Sequence, residues 1–200
     1  MIIDLFEEED TVICTGRLVL RLMKEEDAAD IFEIRGDWDT ASDAGVPCMK
    51  SIEEARDYIQ GWYEDSVVIV LGDEVIGLIE SYTDDELLYD STFLGYYMKK
   101  NHRNKGYMTE ALTTLKKRME DGKSDTMLWI FPGNEASRRV AVKCGWTSLG
   151  CRLVDMNGFN NYVEFFGKDT IVLQRTLKSY GKRTCFQLVG NRLCRGSCQA

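Results

Sequence analysis

One stretch of the sequence combines basic side chains, a glycine and the start of a helical pattern, a combination that suits an anion. It runs from Lys99 to Ala111, with His102 among four basic residues and Gly106 just before the helix. The free N–H groups at a helix N-terminus attract negative charge, and a glycine lets backbone approach a phosphate closely. The spacing predicts a phosphate cradle or, as the plainer alternative, a charged turn that caps a helix. The P-loop and dinucleotide-binding glycine patterns are absent from the sequence.

The elements that must position this turn form an alternation of strands and helices. Alternating and β-branched runs predict seven strands, at 17–22, 66–71, 74–83, 92–98, 126–131, 147–155 and 162–175. Helical spacing and capping residues predict four helices, at 25–34, 51–64, 109–119 and 134–144. The polar residues 35–50 are expected to form a loop of the kind that covers a binding site. The order β α α β β β α β α β β indicates the α+β class.

The predicted strand before the basic turn contains a glycine followed by two tyrosines. Gly95 indicates either a β-bulge or a place where another group approaches closely. Tyr96 and Tyr97 alternate faces, so only one of them is expected to point into a cleft. Among the tryptophans, Trp38 in the predicted loop is a candidate for a substrate pocket, and the other three are expected in the core: Trp62, Trp129 and Trp146.

Three motifs in this order resemble those of the GNAT N-acetyltransferases. Arg103-x-x-Gly106-x-Met108 resembles the R/Q-x-x-G-x-G/A signature that binds the pyrophosphate of acetyl-CoA, and residues 94–98 resemble the strand before it. Residues 134–146 are similar to the second motif of the branch that acetylates ribosomal-protein N-termini, and residues 15–21 to the opening of that branch. The resemblance covers residues 15–175. It implies a GNAT fold, with a mixed, mostly antiparallel sheet of about seven strands and about four helices on both faces.

The resemblance also implies acetyl-CoA as cosubstrate, with no metal, and a set of residues that bind it. Backbone amides of residues 103–108 would hold the pyrophosphate, basic side chains would offset its charge, and Asn134 with Ser137 would lie near the pantetheine arm. The implied cofactor-binding residues are Tyr96, Met98, Lys100, Arg103, Asn104, Lys105, Gly106, Tyr107, Met108, Thr109, Asn134 and Ser137.

Two positions depart from the family pattern. The sequence identifies no general acid and leaves two candidates for the general base. Met108 replaces a small residue, so its side chain must point away from the cofactor. Ala141 stands where many members have a tyrosine acid, so no general acid is identified. Glu80, beside the expected cleft, and Asp90, before the cofactor strand, are candidate bases. An α-amine, with a pKa of about 7.7, needs less help from a base than a lysine at about 10.4.

The charge distribution restricts the partners. Residues 1–167 hold 18 basic and 32 acidic residues, which disfavours nonspecific binding of nucleic acid. The sequence has no membrane-length apolar stretch and no secretory signal, so we expect a cytoplasmic protein whose seven cysteines are mostly reduced. We expect an acetyltransferase domain at 1–178, followed by a basic, cysteine-containing extension at 179–200, in a monomer or homodimer.

The expected activity is direct acetyl transfer from acetyl-CoA to a primary amine. A peptide or protein N-terminal α-amine is favoured over a small cationic amine. Two alternatives remain open: a catalytically weak CoA-binding or regulatory module of the same fold, and an acetyltransferase for polyamines or antibiotics.

Overall fold

The centre of the molecule is a mixed sheet in a computed structural model that describes residues 2–6, 11–83, 91–122, 125–156 and 159–168. Its strands are β1 Ile13–Cys14, β2 Val19–Leu22, β3 Ser66–Leu71, β4 Glu74–Tyr82, β5 Ser91–Met98, β6 Asp125–Ile130, β7 Thr147–Met156 and β8 Phe159–Gly167. Its helices are α1 Ala28–Arg35, α2 Trp38–Ala44, α3 Ile52–Trp62, α4 Tyr107–Asp121 and α5 Glu135–Lys143. The α+β prediction is confirmed.

The strand order creates a split in the middle of the sheet. The order is β1-β2-β3-β4-β5-β6-β8-β7, and β5 with β6 is the parallel pair. These two strands pair from Ser91 to Phe93 against Asp125 to Met127. After that point β5 follows β4 and β6 follows β8, so the two strands diverge. The divergence leaves backbone and side chains of both strands facing a gap.

Alternation along β4 and β5 gives the two faces of the sheet separate cores. Leu78 and Tyr97 pack with buried residues of α1 and α3, including Ile31. Their neighbours Ile79 and Met98 pack on the opposite face with α4. The helices therefore cover both faces, as the sequence predicted, and any cavity in the split is bordered by both layers.

Local sequence signals account for most helix ends. The Ser51 hydroxyl accepts from the Glu54 N–H at 3.3 Å, as predicted for a cap. The Asn134 carboxamide accepts from the Ser137 N–H at 3.0 Å and begins α5. Gly122 ends α4, and Gly72 forms the β3–β4 turn with a φ of 63°. Helix propensity, capping and turn chemistry thus agree with the observed elements.

The prediction of a loop at residues 35–50 is wrong, because this segment contains the helix α2. The Asp37 carboxylate caps it by accepting from the Thr40 N–H at 2.8 Å, and Gly45 ends it in a left-handed conformation. With only Thr40 and Ala41 buried, α2 is too short to show a helical period in the sequence. The segment still covers the cleft, as expected of the predicted loop.

Candidate active site

A cavity of about 720 Å³ occupies the split between β5 and β6. It is bordered by the strand residues from Leu94 to Met98, by the basic turn and the start of α4, by α5, and by the α2 region. Because the strands diverge here, the cavity reaches both faces of the sheet. It therefore has two halves, one beside α4 and α5 and the other beside α1 and α3.

The half beside α4, which we call the cofactor half, is shaped by backbone. Asn104 and Gly106 both adopt left-handed conformations, with φ of 62° and 82°. This path turns the chain sharply into α4, whose first N–H groups have no partners within the helix. The helix is 15 residues long, so its dipole adds positive potential at this end. The turn therefore has the backbone conformation that the predicted phosphate cradle requires.

Arg17, an arginine of the opening motif for which the sequence predicted no role at the site, contacts the turn. The Arg17 guanidinium donates to Glu110 at 2.7 Å and to the Lys105 carbonyl at 3.2 Å, and it stacks 4.5 Å from the centroid of the Tyr107 ring. Glu110 lies in the first turn of α4. These contacts attach the turn to the residues just before β2.

Ten of the twelve predicted cofactor-binding residues line the cavity. They are Tyr96, Met98, Arg103, Asn104, Gly106, Tyr107, Met108, Thr109, Asn134 and Ser137. Met108 is 7% exposed and packs in the core, and it also lines the cavity. That its side chain leaves room for the cofactor stays a prediction.

The other two predicted residues, Lys100 and Lys105, are not among the described residues that line the cavity. The Lys100 ammonium instead pairs with Asp37 at 2.7 Å and Asp39 at 2.9 Å. Arg103 donates to the Thr40 hydroxyl and, at 3.1 Å, to the Met98 carbonyl. The sequence could not show these pairings because it gave no position for α2. The charges of Lys100 and Arg103 hold α2 over the cleft.

Two α5 residues supply positive charge that the sequence analysis left unassigned. Arg139 and Lys143 line the cavity and are exposed. Within the described ranges neither forms a salt bridge, whereas the adjacent Arg138 pairs with Glu164 at 3.0 Å. Their position within the second motif was the available signal.

The Tyr96 hydroxyl, from β5, donates to the Ser137 carbonyl of α5 at 3.1 Å. Ala141, one turn further on, is fully buried and offers no proton donor. Burial raises the pKa of Tyr96 above its ordinary value, so the hydroxyl stays protonated near neutral pH. Cys144 is buried, as predicted, and burial raises the pKa of its thiol.

In the half beside α1 and α3, which we call the acceptor half, Glu80 is surrounded by donors. Its Oε1 accepts from Arg35 at 2.7 Å and from the Tyr58 hydroxyl, and its Oε2 accepts from the Tyr97 hydroxyl at 3.0 Å. The Arg35 guanidinium lies over both tyrosine rings, 5.0 Å and 4.5 Å from their centroids. Burial, then the charge of Glu80, raises the pKa of both tyrosines well above the ordinary value. All four residues line the cavity.

Several expectations about the acceptor half need correction. Tyr96 and Tyr97 point to opposite faces, yet both line the cavity because it passes through the sheet. Trp62 and Trp129 line it as well, whereas Trp38 is 72% exposed and lies outside it. Trp146 is buried, as expected. The second candidate base, Asp90, lies outside the described residues, as do the proposed domain boundary and the extension 179–200.

Comparison with known proteins identifies the class to which this fold and cavity belong. The family model described as "Acetyltransferase (GNAT) domain" matches residues 17–147, which is more than half of the chain. The chain therefore belongs to the GNAT acetyltransferase family, and its enzyme class is acetyl-CoA-dependent N-acetyltransferase. The resemblance in the motifs and the expected GNAT fold are confirmed. A search of curated proteins found no match.

Solved structures with this fold include several acetyltransferases. A GNAT-family acetyltransferase from Bacillus anthracis is 19% identical with a TM-score of 0.69, covering 78% of this chain and 97% of that one. RimL, a ribosomal L7/L12 alpha-N-protein acetyltransferase solved with coenzyme A, is 18% identical with a TM-score of 0.62, covering 80% and 100%. The microcin C7 self-immunity acetyltransferase MccE, solved with acetyl-CoA and AMP, is 16% identical with a TM-score of 0.64, covering 76% and 92%.

In the ranges that the structure covers, no helix is both long enough and apolar enough to cross a bilayer. In the same ranges, no group of three or more His, Cys, Asp or Glu side chains is arranged to hold a metal ion.

Proposed function

We propose that this protein transfers an acetyl group from acetyl-CoA to the α-amine at the N-terminus of a peptide or protein. The observation that carries the proposal is the cavity through the split sheet, which has an anion cradle on one face and a buried carboxylate on the other. Structures of ribosomal-protein N-acetyltransferases are among those that share the fold. In this arrangement the thioester and the amine approach each other from opposite sides.

The cofactor half fits acetyl-CoA. The left-handed Gly106 and the N–H groups of α4 suit the pyrophosphate, and Arg139 with Lys143 adds positive charge to the cavity lining. The diverging backbone of β5 offers hydrogen-bonding groups to the amides of the pantetheine arm. Asn134 is committed to capping α5 and to the Asp43 carbonyl, at 3.1 Å, so its contribution is to fix the α5 N-terminus beside the arm.

The acceptor half suits an amine that is already partly neutral. We assign Glu80 as the group that receives the amine proton, directly or through a water molecule. An α-amine, with an ordinary pKa of about 7.7, gives up its proton more readily than a lysine at about 10.4, so it needs less help from a carboxylate base. Arg35, Tyr58 and Tyr97 hold its carboxylate in one orientation, so they act as positioning residues.

The transfer then needs one bond formed and one broken. The amine nitrogen bonds to the thioester carbonyl carbon, the C–S bond breaks with its electron pair on sulfur, and the amine proton passes to Glu80. The thiolate then takes a proton. Tyr96 is our candidate donor, because its hydroxyl contacts α5 at the Ser137 carbonyl, one turn before the alanine that replaces the family acid, and can rotate about its C–O bond toward the cavity. Solvent restores its proton.

A thermal-unfolding titration with acetyl-CoA, followed by acetyl transfer to amines, tests the proposal. A ligand at 100 times its dissociation constant adds about 2.7 kcal/mol to the stability of the state that binds it. We expect the midpoint to rise, and CoA to be released when a peptide with a free α-amine is added. No rise at millimolar acetyl-CoA would contradict the cradle. A rise followed by transfer only to polyamines would contradict the choice of acceptor.

A further inference from the structure

A notch in the acceptor half lies at Gly95, directly beside the Glu80 carboxylate. Gly95 pairs with Glu80 in a regular part of the β4–β5 ladder, so the bulge expected as one alternative is absent from this described stretch. A Cβ at this position would lie 3.3 Å from Glu80 Oε2, and 3.8 Å from both the Tyr82 ring and the Tyr97 hydroxyl oxygen. The glycine therefore keeps a small space open where the carboxylate, two aromatic side chains and the strand split meet.

The two oxygens of Glu80 are not equivalent with respect to this notch. Oε1 accepts from Arg35 and Tyr58. Oε2, the oxygen nearest the notch, accepts from Tyr97, its one partner within the described residues. An ionised carboxylate oxygen has room for a second donor. An amine N–H in the notch would supply it, so the notch fits the reacting nitrogen of an acceptor.

The walls around the notch are aromatic. Tyr82 stacks on Phe93 with a centroid distance of 5.6 Å, and Trp129 packs edge-on against Phe131 at 5.4 Å. Alternation places Tyr82, Phe93 and Trp129 on the same face of the sheet as Glu80. Three of these rings line the cavity and are only partly buried: Tyr82, Trp129 and Phe131.

The wall is held in place from the far side of the cleft. The Phe131 ring lies against the backbone of Gly45, so closely that a Cβ there would be 2.2 Å from a ring carbon. The Asn134 side chain donates to the Asp43 carbonyl at 3.1 Å, and Ala44, Val46 and Pro47 also line the cavity. The end of α2 and the segment after it thus close an apolar compartment next to the notch.

We propose that the acceptor carries a large apolar or aromatic side chain on the residue whose α-amine is acetylated. This inference rests on the proposed function and names its substrate class. The amine enters the Gly95 notch against Glu80 Oε2, and the adjoining side chain fills the compartment of Tyr82, Trp129 and Phe131. Partly exposed aromatic rings gain most from covering by apolar or aromatic groups. A serine or alanine at the first position would leave the compartment unfilled.

The test is a panel of peptides identical except for the first residue, which is Phe, Leu, Ala, Ser or Asp, each with a free α-amine. We expect kcat/KM for Phe and Leu to exceed that for Ser by roughly tenfold or more, consistent with about 1–3 kcal/mol for apolar groups in a pocket. Calorimetric binding of the same peptides in the presence of CoA should follow the same order, which provides a readout independent of turnover.

Single substitutions test whether the aromatic compartment sets the preference for the first residue of the peptide. Trp129→Ala should reduce the preference for Phe over Ser, whereas Trp38→Ala, at an exposed position outside the cavity, should preserve it. Gly95→Ala should lower transfer to every peptide while the protein still responds to acetyl-CoA in thermal unfolding. Transfer to Ser or Ala equal to or above that to Phe would overturn this inference and leave the proposed function standing. Transfer to none of the peptides would contradict both.

Discussion

The two halves of the cavity are built by different means. The cofactor half is made largely of backbone from one continuous stretch, the end of β5, the turn and the start of α4. The acceptor half is made of side chains from α1, α3, β4 and β5, with Arg35, Tyr58, Glu80 and Tyr97 joined in one network. The two halves therefore differ in how far apart in sequence their residues lie: one half comes from a single continuous stretch, and the other from four separate elements.

Substitutions in the two halves of the cavity should therefore have different energetic consequences. A backbone cradle depends on conformation, so its sensitive positions are those that require a left-handed φ, such as Gly106. A buried side-chain network depends on charge balance, and removing one partner leaves another charge buried without compensation. Variants in the two halves should therefore separate loss of acetyl-CoA affinity from loss of chemistry.

The largest effect is expected from Glu80→Gln, which keeps the size of the side chain but removes its charge. We expect kcat to fall roughly 100-fold or more, within the range for loss of a general base, while the affinity for acetyl-CoA is kept. The residual rate should increase with pH as the amine itself loses its proton.

Glu53→Gln, on the exposed face of α3, is the matched control and should behave as the wild type. Steady-state kinetics across pH and the thermal midpoint of each variant provide the measurement. An unchanged kcat in folded Glu80→Gln protein would remove Glu80 from the chemistry.

The next effect concerns Gly106, for which the chain offers a close control. Gly106 and Gly145 have the same φ of 82°, but Gly145 lies outside the cavity. Valine at either position should cost about 1–2 kcal/mol of stability, because L-residues are strained in this conformation. Only Gly106→Val should also weaken acetyl-CoA binding, by tenfold or more. Equal affinities of the two variants in a calorimetric titration would refute the cradle.

A smaller effect is expected from the two cationic side chains of α5 that line the cavity and form no salt bridge among the described residues. Replacing Arg139 and Lys143 together by Gln should weaken acetyl-CoA binding roughly fivefold at low salt, about 1 kcal/mol, with less loss at high salt. Arg138→Gln is the control on the same helix, because Arg138 is engaged by Glu164. A loss of affinity that does not depend on salt would argue for a steric cause.

The smallest effect concerns the attachment of α2. Partial burial works to raise the pKa of Asp37, but hydrogen bonds from Lys100 and Thr40 outweigh it and lower this pKa from 3.8 to about 2. The stabilisation is therefore present above about pH 4 and lost as the pH falls through 2. Asparagine keeps the cap but loses the charge that pairs with Lys100, so Asp37→Asn should cost about 1 kcal/mol at pH 7, and this difference from wild type should shrink between pH 4 and 2.

Urea denaturation at several pH values measures this difference. Asp39→Asn is a useful comparison, since Asp39 pairs with Lys100 and is 66% exposed, and its effect should be smaller. A cost of Asp37→Asn that stays constant down to pH 2 would contradict the assigned charge interaction.

The same contrast explains what the sequence could reveal. The cofactor half was predictable because Arg103, Gly106 and Thr109 are neighbours in sequence and share one local conformation. Arg35, Tyr58 and Tyr97 could not be grouped with Glu80, because only strand pairing and helix packing bring them together from four elements. The basic residues around Lys100 favoured a phosphate-binding role for its side chain. In the structure Lys100 pairs with Asp37, the N-cap of α2, a helix that the sequence did not predict.

The most direct test of a cavity that joins a thioester to an α-amine is to find where the acetyl group goes. Protein and acetyl-CoA would be incubated with a Phe-starting peptide that also contains an internal lysine, and with the same peptide carrying a blocked α-amine. We predict CoA release only with the free α-amine, and mass spectrometry should place the acetyl group on that nitrogen. Acetylation of the lysine, or equal CoA release with the blocked peptide, would contradict transfer to the N-terminal α-amine.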